Sequence, residues 1–351
     1  MERLTIAQKL LELLITCDSE NEKLARVLAD AQGMEQEEFC KLLGFNLFGI
    51  RYFSELQRAI KSGLLLKKLT KNSLQVLKQY NFFKNITIID QGLKTLRFLP
   101  DFTQLEQLNL SINNIKKIAQ ISHCKDLTML SLSHNPVVDI SPLQNLSSLT
   151  RLYLNGTSVI DLSPINHLQR LEFLYLNDTQ TVDISSLNNP YLQTIYAENM
   201  GLNSFKKMNK LTNLAYLYAD KNQFAHINHI PKFANLIHLQ LSNNGVKDIT
   251  ALQELPLLKT ANFARNQIQK VCFTQPTSIE SLDLNTNPLK YIRNLENLPR
   301  LKYLNVSNSH IKDLRPFLSL PNLNTLVVTN LNPDVIAAAR AENSKVHIWG
   351  Y

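Results

Sequence analysis

Two neighbouring histidines are the residues of this chain that could act together as metal ligands. His226 and His229 are close in sequence, but a zinc site needs three or four ligands. No third ligand follows at a useful spacing, and His238 belongs to the inner face of the next of the repeats described below. The sequence therefore predicts no metal site, and no other cofactor is indicated.

Cysteine thiols are the next candidates for chemistry. Cys17 and Cys40 lie on apolar faces of predicted helices, where an inert buried thiol is expected. The four cysteines are far apart and follow no metal or redox spacing, which predicts free thiols in a reducing compartment. The sequence also lacks a glycine-rich phosphate loop and the GxSxG, HExxH and EF-hand motifs. We therefore predict a protein that is not an enzyme and has no small-molecule substrate.

Tyrosine is the residue type whose spacing does indicate a function. Tyr153, Tyr175, Tyr196 and Tyr218 follow one another at intervals of 22, 21 and 22 residues. A tyrosine offers a large apolar ring and a hydroxyl group, and it is enriched where proteins bind one another. Side chains so distant in sequence form one surface only if the chain returns to the same place at each interval.

An internal repeat provides that return. The pattern Leu-x-x-Leu-x-Leu-x-x-Asn-x-Ile occurs twelve times, with successive copies 22 residues apart and two intervals of 21. The copies begin at Phe83, Leu105, Leu127, Leu149, Leu171, Leu192, Leu214, Leu236, Leu258, Ile279, Leu301 and Leu323. One short strand and one helical turn per copy predict an α/β solenoid with a parallel sheet on its concave side.

Each position of the repeat has a predicted role. The apolar residues at positions one, four and six point into the core, and an asparagine at position nine bonds the backbone of neighbouring coils. Threonine at this position, as at Thr157 and Thr179, can replace part of that bonding, whereas Met200 cannot. Ser141 followed by Pro142 predicts an N-cap and the first residue of a helical turn.

These motifs resemble the leucine-rich repeat family in its short 22-residue subclass. Bacterial internalins and the eukaryotic phosphatase regulator of the SDS type share that repeat length, and the Asp-Ile-Ser-Pro-Leu run that begins at Asp139 is similar to internalin sequences. The resemblance covers about 250 residues. It implies the fold and is nearly silent on function.

The two ends of the chain do not follow the repeat. Residues 1–82 show helical spacing of apolar residues and predict an α-helical N-terminal domain or cap. Residues 83–330 hold the leucine-rich repeats. Residues 331–351 predict a C-terminal cap, with Asn332 as the N-cap of a helix, Pro333 in its first turn, and a final strand in which Trp349 covers the last coil.

A basic stretch precedes the repeats, within a chain of net charge +8. No acidic residue occurs from Leu56 to Ile89, whereas seven basic residues lie between Arg58 and Lys84. Such a stretch can bind anionic lipid or RNA, but a solvated helix face is the favoured interpretation. Because the sequence has no membrane-spanning apolar run and no secretory signal, we expect a cytoplasmic, intracellular protein.

The fifth position of each repeat lies on the inner face of the sheet. The four tyrosines occupy it in consecutive copies, so we expect a ladder of rings roughly 15 Å long, with Phe173 and Tyr216 beside it. The alternative is that stacked rings only stabilise adjacent strands. The same face carries four acidic residues, Glu172, Asp178, Glu198 and Asp220, and two basic residues, Arg151 and Lys221. This balance makes the face acidic.

Aromatic rings bordered by carboxylates fit a protein partner that presents arginine or lysine, and they make nucleic acid an unfavourable ligand. The sequence therefore predicts a non-catalytic protein that grips another protein in its concave face. The internalin resemblance implies a bacterial effector that is delivered into a host cell. An intracellular regulatory subunit of a phosphatase-like enzyme, or a membrane or RNA adaptor that uses the basic stretch, is the alternative.

Overall fold

A computed structural model describes residues 64–65, 84–97, 99, 104–179, 184, 186–206, 210–230, 233–343 and 345–350. Of the predicted helical domain over residues 1–82, only Leu64–Leu65 is described, and these two residues form a strand where a helix was expected. Cys17, Cys40 and the residues of the basic stretch other than 64–65 and 84–89 lie outside the described residues. The chain forms two compact units, Met1–Leu168 and Gln169–Tyr351.

The first unit is built on a parallel sheet whose neighbouring strands follow chain order. Its strands are β1 (Leu64–Leu65), β2 (Asn85–Thr87), β3 (Gln107–Asn109), β4 (Met129–Ser131) and β5 (Arg151–Tyr153). Between the strands the chain returns through 3₁₀ turns at Ala119–His123, Ser141–Leu143 and Ser163–His167. The coils of β3, β4 and β5 thus contain the strand and the helical turn that the repeat predicts.

The second unit contains a nine-stranded parallel sheet and a separate pair of strands. The nine strands are β6 (Phe173–Tyr175), β7 (Thr194–Tyr196), β8 (Tyr216–Tyr218), β9 (His238–Gln240), β10 (Thr260–Asn262), β12 (Ser281–Asp283), β14 (Tyr303–Asn305), β15 (Thr325–Val327) and β16 (His347–Trp349). The separate pair is β11 (Lys270–Cys272) and β13 (Tyr291–Arg293), also parallel. The helical segments among the described residues of this unit are the 3₁₀ turns Thr250–Glu254 and Leu295–Asn297 and the α-helices α1 (Arg315–Leu318) and α2 (Pro333–Glu342).

The core is filled by the repeat positions that the sequence assigns to it. Leu149, Leu152 and Leu154, at positions one, four and six of one copy, are fully buried, as are their equivalents in the other described copies. Strand register pairs the same position of successive copies, so Tyr175 aligns with Tyr196, and Tyr196 with Tyr218. The repeat therefore places side chains of equal position in columns across the sheet.

The ninth-position asparagine connects each coil to the one before it. In Asn222, Oδ1 accepts hydrogen bonds from the backbone N–H groups of Met200 at 3.0 Å and Leu202 at 2.9 Å. Its Nδ2 donates to the carbonyl oxygens of Ala197, Ala219 and Asp220 at 2.7–3.0 Å. The predicted role of this asparagine is confirmed, and the same pattern recurs at Asn113, Asn135, Asn244, Asn266 and Asn287.

Away from the ends of the array, three consecutive copies replace this asparagine, and the three residues behave differently from one another. Thr157 keeps one of the bonds, since its hydroxyl donates to the carbonyl oxygen of Leu154 at 2.7 Å. The hydroxyl of Thr179 is buried without a partner, so the expectation that threonine replaces part of the bonding holds only at Thr157. Met200 is buried at 3% exposure and contributes packing instead.

The eighth position of the repeat adopts the left-handed backbone conformation in every described copy. Its φ lies between 53° and 61° at twelve positions, among them Ile112, His134 and Gly156. A β-branched residue such as Ile112 is strained there. At Gly156 an added Cβ atom would also lie 2.5 Å from the ring of His134, so that exposed side chain would have to move.

The cap of the helical turns differs from the sequence prediction. Ser141 is the first residue of the 3₁₀ turn and not its N-cap. The carboxylate of Asp139 caps the turn by accepting a hydrogen bond from the Ser141 N–H at 2.8 Å, and Asp161, Asp248 and Asp313 do the same in other coils. A carboxylate is a better hydrogen-bond acceptor than a serine hydroxyl. The hydrogen bonds that Ser141 donates to Asp139 lower the pKa of the Asp139 carboxyl group.

The C-terminal segment forms a helix and a strand at the positions that the sequence indicates. Asn332 caps α2, because its side chain accepts a hydrogen bond from the Asp334 N–H at 2.9 Å. The guanidinium of Arg340 donates to the carbonyl oxygen of Ile348 at 2.9 Å and so joins α2 to β16. The expectation that Trp349 covers the last coil is wrong, since it is 56% exposed and Ile348 is buried in its place.

Candidate functional site

Three of the predicted tyrosines form a continuous stack on the sheet of the second unit. The ring centroids of Tyr175 and Tyr196 are 4.5 Å apart with an interplanar angle of 7°. Those of Tyr196 and Tyr218 are 4.3 Å apart with an angle of 1°. The stacking follows from the register, because neighbouring strands are about 4.8 Å apart and equal positions align. We call Tyr175, Tyr196 and Tyr218 the tyrosine row.

The stacking changes what the tyrosine row offers to a ligand. Both faces of the Tyr196 ring are covered by its neighbours, and all three residues are partly buried. The row therefore offers less open aromatic surface than separate, unstacked rings would. A ligand meets the ring edges and the hydroxyl groups, which donate and accept hydrogen bonds.

His238 extends the row by one strand. Its imidazole centroid lies 4.8 Å from that of the Tyr218 ring and 6.5 Å from that of the Tyr216 ring. Burial lowers the pKa of His238, which favours the neutral imidazole at pH 7. The sequence analysis placed this histidine on the inner face but not in the site. Its third-position column, shared with Tyr216, was the available signal.

The remaining aromatic candidates lie in that third-position column. Phe173 is partly buried, Thr194 follows it on β7, and Tyr216 is 39% exposed. Tyr216 therefore presents more ring surface to solvent than the members of the tyrosine row do. The open aromatic area of the site is concentrated at Tyr216.

Tyr153 and Arg151 belong to the first unit. They are the two ends of β5, where Tyr153 is partly buried and Arg151 is exposed. Tyr153 occupies the fifth repeat position like the members of the tyrosine row. Its inclusion in a four-residue ladder remains a prediction.

Two of the charged residues of the site, Glu198 and Lys221, form an ion pair. Lys221 Nζ lies 2.6 Å from Glu198 Oε1. Asp178 Oδ1 accepts a hydrogen bond from Asn199 Nδ2 at 2.8 Å. Glu172 is partly buried and Asp178 is exposed. Four carboxylates against the single ammonium group of Lys221 leave a net charge of −3 in the second-unit part of the site (−4 + 1).

Asp220 anchors a polar network that the sequence did not reveal. Its Oδ1 accepts a hydrogen bond from the Ser242 N–H at 2.7 Å, and Gln240 Nε2 donates to its Oδ2. The Ser242 hydroxyl donates in turn to Asn262 Oδ1 at 2.9 Å. This network holds the carboxylate beside the tyrosine row.

The buried position of Asp220 predicts a pH dependence of stability. Burial raises the pKa of Asp220, although the bonds from Gln240 and Ser242 oppose the rise. The folded state therefore binds a proton before the unfolded state does, and the contribution of Asp220 to stability increases as the pH falls through the folded pKa. We expect the Asp220→Asn variant to have a higher free energy of unfolding than the wild type at pH 7. This difference should disappear at about pH 4.

Urea denaturation of both proteins across this range measures the difference. Both proteins contain the neighbouring groups Glu198, Lys221 and His238. The contributions of these groups to the difference in free energy of unfolding therefore largely cancel. A difference in free energy of unfolding that stays constant from pH 7 to pH 4 would contradict the assignment.

The candidate metal ligands and cysteine thiols of the sequence analysis can be located in the described part of the chain. The described residues contain no group of three or more histidine, cysteine or acidic side chains that could hold a metal. Cys124 and Cys272 are free, and burial raises the pKa of the Cys124 thiol to about 11, which makes it a poor nucleophile. No helix in the described part of the chain is long and apolar enough to cross a membrane.

Comparison with known families supports the interpretation of the repeat. A family model described as leucine-rich repeats in two copies matches residues 103–145, and the coils of both units carry the strand, turn and asparagine of that repeat. The chain is a leucine-rich repeat protein. This leucine-rich repeat protein is also similar to Toll-like receptor 2 type-1 of Gallus gallus, with 32% identity over 135 residues. The match covers 38% of this chain and 14% of the receptor.

Solved structures of similar fold come from several sources. An internalin, inlF, of Listeria monocytogenes has a TM-score of 0.61 and 24% identity, and the match covers 79% of this chain and 88% of that one. A leucine-rich repeat protein of Leptospira interrogans has a TM-score of 0.62 and 18% identity over 82% and 88%. The leucine-rich repeat domain of APL1B has a TM-score of 0.66 and 14% identity over 85% and 97%. These similarities establish the fold of the leucine-rich repeat protein.

Proposed function

We propose that this leucine-rich repeat protein binds another protein through the face of the second-unit sheet that carries the tyrosine row. The observation that carries the proposal is the stack of Tyr175, Tyr196 and Tyr218, continued by His238 and bordered by carboxylates. On β9, β10, β12 and β14 the fifth position holds a polar side chain that is not aromatic, although the same core lies beneath these strands. A fold with these repeats can also form a complex, since one structure of similar fold is that of the LRIM1/APL1C complex, at a TM-score of 0.57 and 16% identity over 82% and 63% of the two chains.

The chemistry of the surface favours a partner with arginine or lysine side chains. Asp178 and Glu172 supply negative charge that no described ion pair neutralises. The tyrosine hydroxyls supply acceptors beside them, and the ring of Tyr216 is open to a cation–π contact. A phosphate backbone would be repelled by the same carboxylates, so the proposed partner is a protein and not a nucleic acid.

A set of three variants tests the proposal. Tyr175→Phe, Tyr196→Phe and Tyr218→Phe together remove the hydroxyls and retain the stack. Glu172→Lys with Asp178→Lys reverses the border charge. Tyr191→Ala is the control, because this tyrosine is 60% exposed and lies outside the row. The measurement is quantitative mass spectrometry of the proteins that each variant captures from a cell lysate.

We expect the control to capture the same partner as the wild type. The charge reversal should lower capture by about tenfold or more, because an ion pair becomes a repulsion. The triple phenylalanine variant should lower it by a smaller factor, since each lost hydrogen bond contributes about 0.5–1.5 kcal/mol. If every variant captures the same proteins in the same amounts, the proposed surface is wrong.

We propose further that the chain acts as a bacterial effector on a host protein. The support is the internalin-like repeat and the internalin among the structures of similar fold. The same capture from a eukaryotic lysate and from a bacterial lysate tests it. A row-dependent partner found only in the bacterial lysate would contradict the effector role and leave the binding surface in place.

A further inference from the structure

A second surface of this protein has an open strand edge. β13 (Tyr291–Arg293) pairs with β11 on one side. On its other side lies the coil that contains Ile311, and the last backbone hydrogen bond between the two coils is from the His310 N–H to the Leu289 carbonyl oxygen at 2.8 Å. Among the described residues, no backbone hydrogen bond joins β13 itself to that coil. The backbone groups of β13 that face this coil therefore have no backbone partner in it among the described residues, and they can pair with another strand.

A cavity of about 990 Å³ lies beside this edge. Its apolar lining includes Ile292, Ile311, Phe317, Leu331 and Val335. Three of these side chains, Ile292, Ile311 and Phe317, are buried at 7%, 4% and 2% exposure and form the base of the cavity. The volume lies within the range of roughly 300–1,000 Å³ that is typical of ligand pockets. An apolar side chain from a partner would lose water-exposed area on entering it.

Lysines surround the same edge. Lys247, Lys270 and Lys290 line a concavity of about 740 Å³, and Lys290 and Tyr291 line both this concavity and the cavity. Lys312 lines the cavity on its other side. All four lysines are exposed, and none belongs to an ion pair in the described part of the chain.

The carboxylate near these lysines is already paired. Asp313 lines the cavity but is held by Arg315, whose Nε and Nη2 each donate to it at 2.9 Å. The charge left unpaired around the cavity is therefore positive. Flanking lysines also discourage pairing with another basic edge, which leaves acidic segments as the complementary ligand.

We propose that β13 binds an extended acidic segment of a partner protein by strand addition. Backbone groups of the segment pair with the open edge of Tyr291–Arg293. Because side chains alternate along a strand, every second residue reaches the apolar cavity and the others lie towards the lysines. This site is separate from the tyrosine row, and it selects acidic chains where the row selects basic ones.

A nucleic acid fits the same surface less well. Single-stranded binding sites combine basic groups with aromatic faces on which bases stack. The guanidinium of Arg293 already lies 4.7 Å from the centroid of the Tyr291 ring and covers one face of it. Of the other apolar side chains in the lining, all but Phe317 are aliphatic, and these suit an amino-acid side chain better than a base.

Fluorescence anisotropy on the whole chain tests the inference with a labelled peptide of alternating valine and glutamate, eight residues long. At about 0.15 M salt, distant surface charges are screened. We expect Lys290→Glu with Lys312→Glu to weaken binding by about tenfold or more. The control, Lys125→Glu with Lys206→Glu, has the same net charge and should bind as the wild type does, because both lysines are exposed elsewhere.

A second peptide separates strand addition from simple charge attraction. Methylation of alternate backbone nitrogens removes the donors that would pair with β13 but leaves the side-chain charges. We expect this peptide to bind at least fivefold more weakly. Equal binding of the two peptides, equal binding by both lysine variants, or tighter binding of an oligothymidine through the same lysines would each overturn the proposal.

Discussion

Replacing Phe224 with alanine is expected to lower the free energy of unfolding of the second unit by about 3–5 kcal/mol. The ring of Phe224 is fully buried and stacks on that of Phe205, with centroids 4.2 Å apart and an angle of 9°. Phe233 packs edge-on against Phe205 at 6.1 Å. Removing one ring leaves a cavity beside two others that cannot collapse into it without moving their own coils.

Urea denaturation measures this loss, and hydrogen exchange locates it. In a stack of repeats each coil contacts mainly its neighbours, so the amides of the coils around Phe224 should lose protection first. Tyr191→Ala is the matched control, since it removes an aromatic ring that is 60% exposed, and a change of less than about 0.5 kcal/mol is expected. A Phe224→Ala protein that unfolds at the wild-type urea concentration would show that the three phenylalanines do not act as a cluster.

Replacing Asn222 with alanine is expected to cost about 3 kcal/mol, because five hydrogen bonds to backbone groups of two coils are lost together. Asn222 is 8% exposed, so most of the released groups remain away from bulk water. The effect should be transmitted to the preceding coil, since the N–H groups of Met200 and Leu202 belong to it.

The comparison for this prediction is Asn235→Ala. That side chain is exposed and donates a single hydrogen bond of the same type, from its Nδ2 to the Thr212 carbonyl oxygen at 2.8 Å. Its loss should cost less than about 1 kcal/mol. Equal effects of the two substitutions on the urea midpoint would mean that burial of the amide network contributes nothing beyond one surface bond.

Both predictions concern the coils that carry the tyrosine row. Met200 and Leu202 follow Tyr196 in its coil, and Asn222 and Phe224 follow Tyr218 in the next. The row remains stacked because the strands beneath it are held at a fixed separation and register. A variant that loosens these coils should therefore also weaken partner binding, without any change to the binding surface itself.

The column of tyrosines was predictable from the sequence, whereas its packing was not. A 22-residue period with fixed core positions forces equal positions into register, so Tyr175, Tyr196 and Tyr218 had to align. Whether three rings expose their faces or stack depends on the rotamer that each adopts against its neighbour. The stacked arrangement covers the ring faces, so Tyr216 is the aromatic residue of the second-unit part of the site that remains most open to solvent.

The charged residues of the site were likewise predictable from the sequence, whereas their contacts were not. The sequence identified Glu198, Asp220 and Lys221 as residues of one face. It did not identify the ion pair of Glu198 with Lys221 or the hold of Gln240 and Ser242 on Asp220, because these join side chains of different coils at distances that composition does not encode.

What the sequence determined by itself was the coil, since the spacing of leucine and asparagine is a local requirement repeated in every copy. Only the tertiary structure decided the features that arise between coils. These include the ion pair of Glu198 with Lys221, the aromatic cluster of Phe205, Phe224 and Phe233, and the edge of β13. Each depends on which groups of one coil meet which groups of the next, and that is set by the stacking of coils and not by the pattern within one.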